Sequence, residues 1–353
     1  MKMSFRWFGE THDSVKLWQI RQIPGMVGII TTLYDTAPGD EWDLDAIRAM
    51  KKQVNDAGLD LLGIESVNVH DAIKAGTPDR DRYIQNYVQT IRKLGSEGIR
   101  LVCYNFMPVF DWTRTELAKV RPDGSTTMAY DQRKIDGIDP AEMFRQVDSD
   151  SNGFVLPGWE PERMARVKEL FELYRHVSEQ QLFDNLVYFL NALMPVCDEY
   201  DVNMAIHIDD PCWSVFGLPR VITCREQLLR LMDAVPNPHN GVTLCTGSLS
   251  SNPQNDIPAI IRSLKGRIHF AHVRNTKHTA PGVFEESAHY AADGSLDMYA
   301  IVKALVDIGF EGPVRPDHGR AIWGEVSMPG YGLYDRALGS QYILGLYDAI
   351  KRQ

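Results

Sequence analysis

Four short apolar segments in the second half of the chain each carry a side chain that can bind a metal ion. These side chains are His207, Cys245, His272 and Asp317. Successive members are 38, 27 and 45 residues apart, close to the length of one strand-plus-helix unit in a (β/α)₈ barrel. Because the catalytic residues of such barrels lie at the carboxyl ends of the strands, we expect the four side chains to meet at one divalent ion.

The four donors combine two imidazoles, one thiolate and one carboxylate. This mixture of soft and hard ligands does not choose between Zn²⁺, Fe²⁺ and Mn²⁺. A tetrahedral Zn²⁺ in a structural site would use all four groups, whereas an octahedral Mn²⁺ or Fe²⁺ would leave two positions for a substrate. A structural metal is therefore the alternative to a catalytic one.

Apolar, β-rich runs alternate with amphipathic stretches along the whole chain, which predicts strands joined by helices. No GxGxxG turn follows the first strand, so the pattern favours a closed parallel barrel of the α/β class, a (β/α)₈ TIM barrel, over a doubly wound sheet. We expect a single domain over residues 1–353. The eight predicted strands are Met3–Phe8, Met26–Thr32, Leu59–Glu65, Ile99–Asn105, Val202–His207, Gly241–Cys245, Ile268–Val273 and Pro313–Asp317.

Residues 106–179 separate predicted strands four and five by more than an ordinary loop. The segment carries Trp112 and Trp159 and a helical pattern near Pro161–Val177. We expect a helical insertion over the catalytic end of the barrel, where it would act as a lid or as an oligomer contact.

The formal net charge of −10, without a Lys/Arg tract, argues against nucleic acid or an anionic membrane as a partner. The five cysteines form no CxxC pattern, and we find no signal-peptide pattern and no apolar run long enough to span a bilayer. We therefore expect a cytoplasmic protein with free thiols. For an enzyme of this size we also expect a homodimer.

Two groups near the end of the last predicted strand could move protons. His318 belongs to an Asp-His-Gly sequence, and Tyr331 belongs to a Gly-Tyr-Gly loop. An imidazole and a phenol can both act as acid or base when their pKa values are tuned by the surroundings.

Other polar residues are candidates to contact a substrate. Alternate residues of a strand face the same side, so Arg274 and Arg315 each share a face with a candidate ligand two residues away. Asn105 closes predicted strand four, and Asn275 follows predicted strand seven.

Several long segments resemble the mannonate dehydratase family, and together they span nearly the whole chain. They are MKMSFRWFG, QIPGMVGIITTL, HIDDPCW, TLCTGSL, HFAHVRN, RPDHGR and MPGYGLYDRALG. The resemblance implies a TIM barrel related to the xylose-isomerase-like group and a dependence on Mn²⁺ or Fe²⁺. It also implies an enzyme of hexuronate catabolism that removes water from D-mannonate to give 2-keto-3-deoxy-D-gluconate.

The resemblance also implies roles for particular residues. The implied metal ligands are His207, Cys245, His272 and Asp317. Proton transfer is implied for His318 and a tyrosine of the GYGLY loop; we favour Tyr331 over Tyr334, which is then a candidate substrate contact beside Arg274, Asn275 and Asn105.

Dehydration of an aldonate removes the proton on the carbon next to the carboxylate and expels the neighbouring hydroxyl. A divalent ion would stabilise the negative charge that develops on the enediolate. We assign the two proton transfers to His318 and Tyr331, in an order that the sequence leaves open. Arg315 or Arg274 would hold the substrate's negative charge.

Three alternatives share the predicted barrel. A xylose-isomerase-like isomerase or epimerase would have a metal site richer in carboxylates, and an amidohydrolase would have His-x-His on the first strand, where Met3–Phe8 has none. A non-catalytic barrel that binds a sugar acid would bind ligand and metal without turnover.

Overall fold

The computed structural model describes residues 1–156 and 164–353, apart from the side chains at 141, 144 and 146–148. Eight parallel strands form a closed barrel. In their order around the barrel, they are β1 (Lys2–Arg6), β2 (Gly28–Thr31), β3 (Asp60–Glu65), β4 (Leu101–Tyr104), β7 (Asn203–His207), β8 (Asn240–Cys245), β9 (Ile268–His272) and β12 (Pro313–Arg315).

The barrel closes because β1 pairs in parallel with both β2 and β12. Each predicted strand overlaps one of these eight, so the predicted TIM barrel is confirmed. The last strand ends at Arg315, two residues earlier than predicted. Asp317 and His318 therefore lie in the following loop, where the alternation of a strand no longer forces them to opposite sides.

Helices lie between the strands. They are α1 (Leu17–Arg21), α2 (Leu44–Asp56), α3 (Asp71–Ala75), α4 (Arg80–Ser96), α5 (Gln132–Ile135), α6 (Pro140–Ser149), α7 (Val167–Tyr174), α8 (Glu179–Tyr200), α9 (Arg225–Ala234), α10 (Thr246–Ser250), α11 (Ile257–Ser263), α12 (Met298–Asp307) and α13 (Leu333–Lys351). Among the residues that the structure describes, no helix is both long and apolar enough to cross a bilayer.

Helix α2 shows how the sequence specifies this layer. The Asp43 side chain accepts a hydrogen bond from the Ala46 N–H and so caps the helix. Ile47, Met50 and Val54 recur at helical spacing and are buried. The same side of the helix therefore faces the barrel along its whole length.

The insertion over residues 106–179 contains strands as well as helices. Strands β5 (Glu116–Val120) and β6 (Thr126–Asp131) pair antiparallel. Strand β6 also pairs with β11 (Val283–Glu286), which pairs with β10 (Thr276–Ala280), giving a four-stranded sheet in the order β10-β11-β6-β5.

The prediction of a helical insertion was therefore incomplete. A Pro-Asp-Gly turn, with Gly124 at a φ of 80°, joins β5 and β6 and was a hairpin signal in the sequence. A helix was expected near Pro161–Val177, and the structure has a helix at Val167–Tyr174. Trp159 lies outside the described residues.

A hydrophobic cluster connects the insertion to the barrel. Val109 and Met128 of the insertion are buried with Phe284 of β11 and with Phe8 and Tyr331, which flank the barrel mouth. A second, smaller cluster fills the inside of the barrel. The insertion and the antiparallel sheet are thus packed at the end of the barrel where the strands finish.

Candidate active site

The four predicted metal ligands lie together at the carboxyl ends of neighbouring strands. His207, Cys245 and His272 are the last residues of β7, β8 and β9, and Asp317 follows β12 by two residues. His207 Nε2 lies 3.2 Å from His272 Nδ1, and Cys245 Sγ lies 3.5 Å from Asp317 Oδ2. Ligand atoms at about 2.1 Å from one ion lie roughly 3 Å apart when they are at right angles. The spacing therefore fits a shared cation.

Neighbouring oxygen atoms determine which ring nitrogen of His207 and of His272 carries a proton in the neutral ring. His207 Nδ1 lies 2.7 Å from the carbonyl oxygen of Ile208, which can only accept a hydrogen bond, so Nδ1 carries a proton. His272 Nε2 faces Glu65 Oε2 at 3.5 Å, which favours a proton on Nε2. When both rings are neutral, His207 Nε2 and His272 Nδ1 face each other as lone pairs, the orientation that metal-binding histidines take from outer partners.

Both anionic ligands are ionised near neutral pH. Burial alone raises the pKa of Cys245, but the Arg274 guanidinium and hydrogen bonds from His207 and His272 outweigh it and lower that pKa to about 5. Burial also raises the pKa of Asp317, but the positive charge of His318 when it is protonated, and then that of Arg315, hold that pKa well below the usual range. A thiolate and a carboxylate are the forms that bind metals.

Without a metal ion, His207 carries a proton at neutral pH. Burial lowers the pKa of His207, but the hydrogen bond and negative charge of Cys245 outweigh it and raise that pKa to about 9. Metal binding would displace this proton. The described residues that could hold a metal ion thus include His207, Cys245 and His272, whose ligand atoms lie within 4.8 Å of one another.

A second group of possible ligands, Glu65, Cys103 and His272, lies beside the first. Arg315 Nη1 is 3.0 Å from Glu65 Oε2, and burial raises the pKa of the Cys103 thiol well above its usual value. A carboxylate already paired with a guanidinium and a protonated thiol are poor metal ligands. This second group therefore fits a metal less well than the first.

Ion pairs hold both candidate arginines. Arg274 Nε lies 2.8 Å from Asp317 Oδ2, and its Nη2 lies 2.8 Å from Asp210 Oδ2. Arg315 Nη2 lies 2.7 Å from Asp317 Oδ1. Both line the cavity, but their charges are already balanced by protein carboxylates. This arrangement suits the orientation of Asp317 better than the capture of a substrate anion.

Sequence reasoning missed four charged residues of this network: Glu65, Asp210, Glu286 and Arg114. Arg114 is completely buried. Its Nη1 lies 2.8 Å from Asp210 Oδ1, and its Nη2 lies 2.7 Å from Glu286 Oε1. Glu65 could have been found, because it closes a predicted strand, as could Asp210, which lies in the HIDDPCW segment. Glu286 and Arg114 lie outside the predicted barrel strands and carried no such signal.

His318 and Tyr331 form a hydrogen-bonded pair. His318 Nε2 lies 2.8 Å from the Tyr331 hydroxyl, and His318 Nδ1 lies 3.4 Å from Glu286 Oε1. Burial raises the pKa of Tyr331, so its phenol is neutral at physiological pH. Tyr334 instead is 41% exposed and packs on Trp323, with ring centroids 5.5 Å apart. The structure therefore places Tyr331, and not Tyr334, beside His318.

A cavity of about 490 Å³ brings these groups together. Its lining includes Arg6, Tyr34, Glu65, Asn105, Trp112, Leu156, His207, Arg274, Arg315, Asp317, His318 and Tyr331. Of the substrate candidates, Asn105 is at the cavity, whereas Asn275 is not among its lining residues. The Asn275 amide bonds the backbone of Tyr290 and Leu296 and so fixes the loop after β11.

The closed barrel of eight parallel strands is a TIM barrel, the fold of the xylose-isomerase-like proteins. One such protein from Mycobacterium smegmatis, solved in complex with magnesium, is similar at a TM-score of 0.51 and 16% identity, over 95% of this chain and 87% of that one. Identity this low shows only the fold.

Within that class, the chain belongs to the mannonate dehydratase family. A family model described as D-mannonate dehydratase (UxuA) matches residues 1–353. A mannonate dehydratase from Brachyspira hyodysenteriae is 65% identical over 100% of this chain and 99% of its own length. The crystal structure of mannonate dehydratase from Streptococcus suis is similar at a TM-score of 0.90 and 46% identity, over 100% of this chain and 95% of that one. The family resemblance seen in the sequence is thereby confirmed.

Proposed function

We propose that this protein is a hydro-lyase that converts D-mannonate to 2-keto-3-deoxy-D-gluconate and water, in hexuronate catabolism. The observation that carries the proposal is the meeting of His207, Cys245, His272 and Asp317 beside the hydrogen-bonded His318–Tyr331 pair. Of these six residues, His207, Asp317, His318 and Tyr331 line one cavity. The match to the mannonate dehydratase family over residues 1–353 supports the choice of substrate.

We propose that the metal is Mn²⁺ or Fe²⁺. The two oriented imidazoles, the Cys245 thiolate and the Asp317 carboxylate would hold it and leave room in the cavity for a substrate. When bound, the ion would polarise the substrate carboxylate and 2-hydroxyl and stabilise the charge of the enediolate.

The His318–Tyr331 pair is suited to both proton transfers. Glu286 Oε1 faces His318 Nδ1 and can only accept, so Nδ1 carries a proton and Nε2 accepts the hydrogen bond from the Tyr331 hydroxyl. His318 Nε2 is then the base for the carbon-bound proton, and Tyr331 donates its proton to the departing hydroxide. One proton transfer across their 2.8 Å hydrogen bond restores both groups.

The test is an anaerobic assay of D-mannonate turnover. We expect a 2-keto-3-deoxy product, no activity after chelation, and recovery with Mn²⁺ or Fe²⁺, while metal analysis of the purified protein identifies the native ion. An isomerised or epimerised product would replace dehydration with the chemistry of a sugar isomerase. Binding of D-mannonate without any product would indicate a non-catalytic barrel.

We further propose that the 106–179 insertion covers the bound substrate. Trp112 and Leu156 line the cavity, and the Trp112 ring lies 6.2 Å from the His318 ring. Cover by these apolar groups would exclude water from the enediolate. Slower hydrogen exchange of the backbone around Trp112 when substrate binds would support this role, and unchanged exchange would contradict it.

We propose a cytoplasmic homodimer. The role of Cys245 as a thiolate fits a reducing compartment, and all five cysteines are free. Near the start of α13, Trp323 is 74% exposed, Val326 is 72% exposed and Leu338 is 48% exposed, and such exposed apolar groups favour contact with a second copy. Light scattering should give a dimer for the native protein, and Trp323→Ser should weaken it.

A further inference from the structure

Three arginines line the cavity, and one of them differs from the other two in its partners. Arg274 and Arg315 each contact carboxylates at 3.0 Å or less. Arg6 is the last residue of β1 and is 4% exposed. No carboxylate of residues 1–156 or 164–353 whose side chain is described lies within 4.0 Å of its guanidinium nitrogens. Arg6 therefore brings a positive charge to the cavity wall that no nearby ion pair balances.

The Arg6 side chain is nevertheless held in a defined position. Its Nη2 donates to the Tyr34 hydroxyl at 2.8 Å, and its guanidinium carbon lies 4.6 Å from the centre of the Phe8 ring. Its Nη1 is buried and has no hydrogen-bond partner. A buried cation with an unpaired donor is unfavourable in the empty protein and is stabilised by an anionic acceptor.

The other buried arginines of this region indicate what that acceptor is. Arg114, Arg274 and Arg315 each lie within 3.0 Å of a protein carboxylate. Arg6 has no such partner among the described side chains, so an anionic group of a ligand in the cavity can take that position.

Two other carboxylates of this region are opposed by other cations. Asp13 accepts hydrogen bonds from the backbone N–H groups of Phe8 and Val15, and it is not among the lining residues of the cavity. Its charge is opposed by that of Arg336, which interacts with it electrostatically and also lies outside the lining. At the cavity wall, Asp111 is opposed by Lys74 at 3.9 Å.

We propose that Arg6 binds the carboxylate of the sugar acid and so selects acids over neutral sugars. This inference rests on the proposed dehydration of an aldonate and adds the residue that recognises its charge. A carboxylate has two oxygens, so pairing with Arg6 leaves an oxygen for the ion. Arg274 and Arg315, which the sequence suggested for this contact, would instead hold Asp317 in place.

The test compares a charged and a neutral ligand in the metal-loaded protein. Arg6→Gln should raise KM for D-mannonate by about 10-fold to 100-fold, because a charge-assisted pair is lost, with kcat changed by less than about threefold. The inhibition constant of D-mannonamide, which has the same hydroxyls but no charge, should change by less than about threefold. Arg6→Lys should recover part of the affinity, and Tyr34→Phe should raise KM by a smaller factor.

Arg48→Gln is the matched control, because Arg48 is an exposed arginine of α2 that pairs with Asp45 and Glu97. It should leave KM unchanged. If Arg6→Gln does not fold, the effects of Arg6→Lys and Tyr34→Phe on mannonate and mannonamide binding test the role of Arg6 instead. An Arg6 variant with native metal content whose KM stays within about twofold of the native value, or which weakens mannonate and mannonamide equally, overturns the proposal.

The dehydratase function and the role of Arg6 are tested by separate results. If the native protein with Mn²⁺ does not dehydrate D-mannonate, the dehydratase assignment is wrong, and Arg6 is then tested by binding alone. D-gluconate, but not the neutral D-glucitol, should raise the melting temperature of the native protein, and Arg6→Gln should abolish that difference. Equal stabilisation of the native and Arg6→Gln proteins by D-gluconate overturns the role of Arg6.

Discussion

His318 Nε2 lies 2.8 Å from the Tyr331 hydroxyl, and the residue before Tyr331 is a glycine in the left-handed region. Gly330 has a φ of 80°, and a β-carbon at that position would lie 2.5 Å from the Met128 methyl group, at the end of a flexible side chain. The loop that presents Tyr331 to His318 thus has a backbone conformation that favours glycine at residue 330.

Removing either member of the pair should stop the chemistry without removing the metal. We expect His318→Asn and Tyr331→Phe each to lower kcat by about 10²-fold to 10⁴-fold, the range for loss of a general acid or base. Metal content by elemental analysis should stay near the native value. Tyr334→Phe is the matched control and should retain activity, since Tyr334 is 41% exposed. Near-native turnover of both His318→Asn and Tyr331→Phe would contradict the assignment.

Gly330→Ala should disturb the pair indirectly. The strained φ and the contact with Met128 should destabilise the protein by about 1 to 3 kcal/mol, and displacement of Tyr331 should lower kcat. Thermal unfolding and kinetics measure the two effects. Gly324→Ala, which also has a positive φ but has nothing within 4 Å of the added carbon, is the control for strain alone. Equal activity of the two variants would mean that the Met128 contact is unimportant.

Cys245→Ser should weaken metal retention and turnover together. A serine hydroxyl is not ionised at neutral pH, so the site loses a negative ligand. Dialysis followed by elemental analysis should show much less bound metal than in the native protein. Cys224→Ser, at a partly exposed cysteine, should behave like the native protein. Native metal content in Cys245→Ser would remove Cys245 from the ligand set.

Glu65→Gln tests the outer partners of the site. The change removes the negative charge opposite Arg315 and leaves a single acceptor oxygen for both Arg315 and His272 Nε2. Loss of such an outer partner typically lowers metal affinity or activity by about 10-fold to 100-fold. Competition with a chelator measures the affinity, and the exposed Glu10→Gln serves as a control. An unchanged affinity would show that Glu65 does not orient His272.

The affinity for metal should depend on pH through His207. In the metal-free protein the pKa of His207 is raised to about 9, whereas that of Cys245 is lowered to about 5. Metal binding must therefore displace one proton, from His207, at neutral pH. The apparent affinity for Mn²⁺ should rise about tenfold per pH unit from about pH 6 to about pH 8 and level off above about pH 9.

The control for this slope is Cys245→Ser. Without the thiolate, the main group that raises the pKa of His207 is gone, so the slope should level off at a lower pH. Chelator competition at a series of pH values measures both curves. A native affinity that does not change between about pH 6 and about pH 8 would contradict the raised pKa of His207.

The barrel and its four converging side chains could be read from the sequence, because parallel strands with buried faces appear as short apolar runs. Runs that end in His207, Cys245 and His272 therefore placed these residues correctly at strand ends. The position of Asp317 and His318 was harder to foresee, because the alternation depends on where β12 ends, and it ends at Arg315.

The ion pairs were not predictable in the same way. Arg114 lies in the insertion, yet its partners Asp210 and Glu286 are far along the chain. Such contacts are set by the packing of separate loops, and no local periodicity records them. The exposure of Tyr334 and the backbone contacts of Asn275 likewise follow from tertiary structure.

Strand β11 pairs with β6 of the insertion, and its last residue, Glu286, contacts Arg114, Arg274 and His318. Two loops that leave the barrel at different points are thus joined into one sheet that ends at the reacting groups. A deletion or a graft in either loop would shift Glu286 and change catalysis. A change in one of these loops, whether evolved or engineered, therefore requires a matching change in the other.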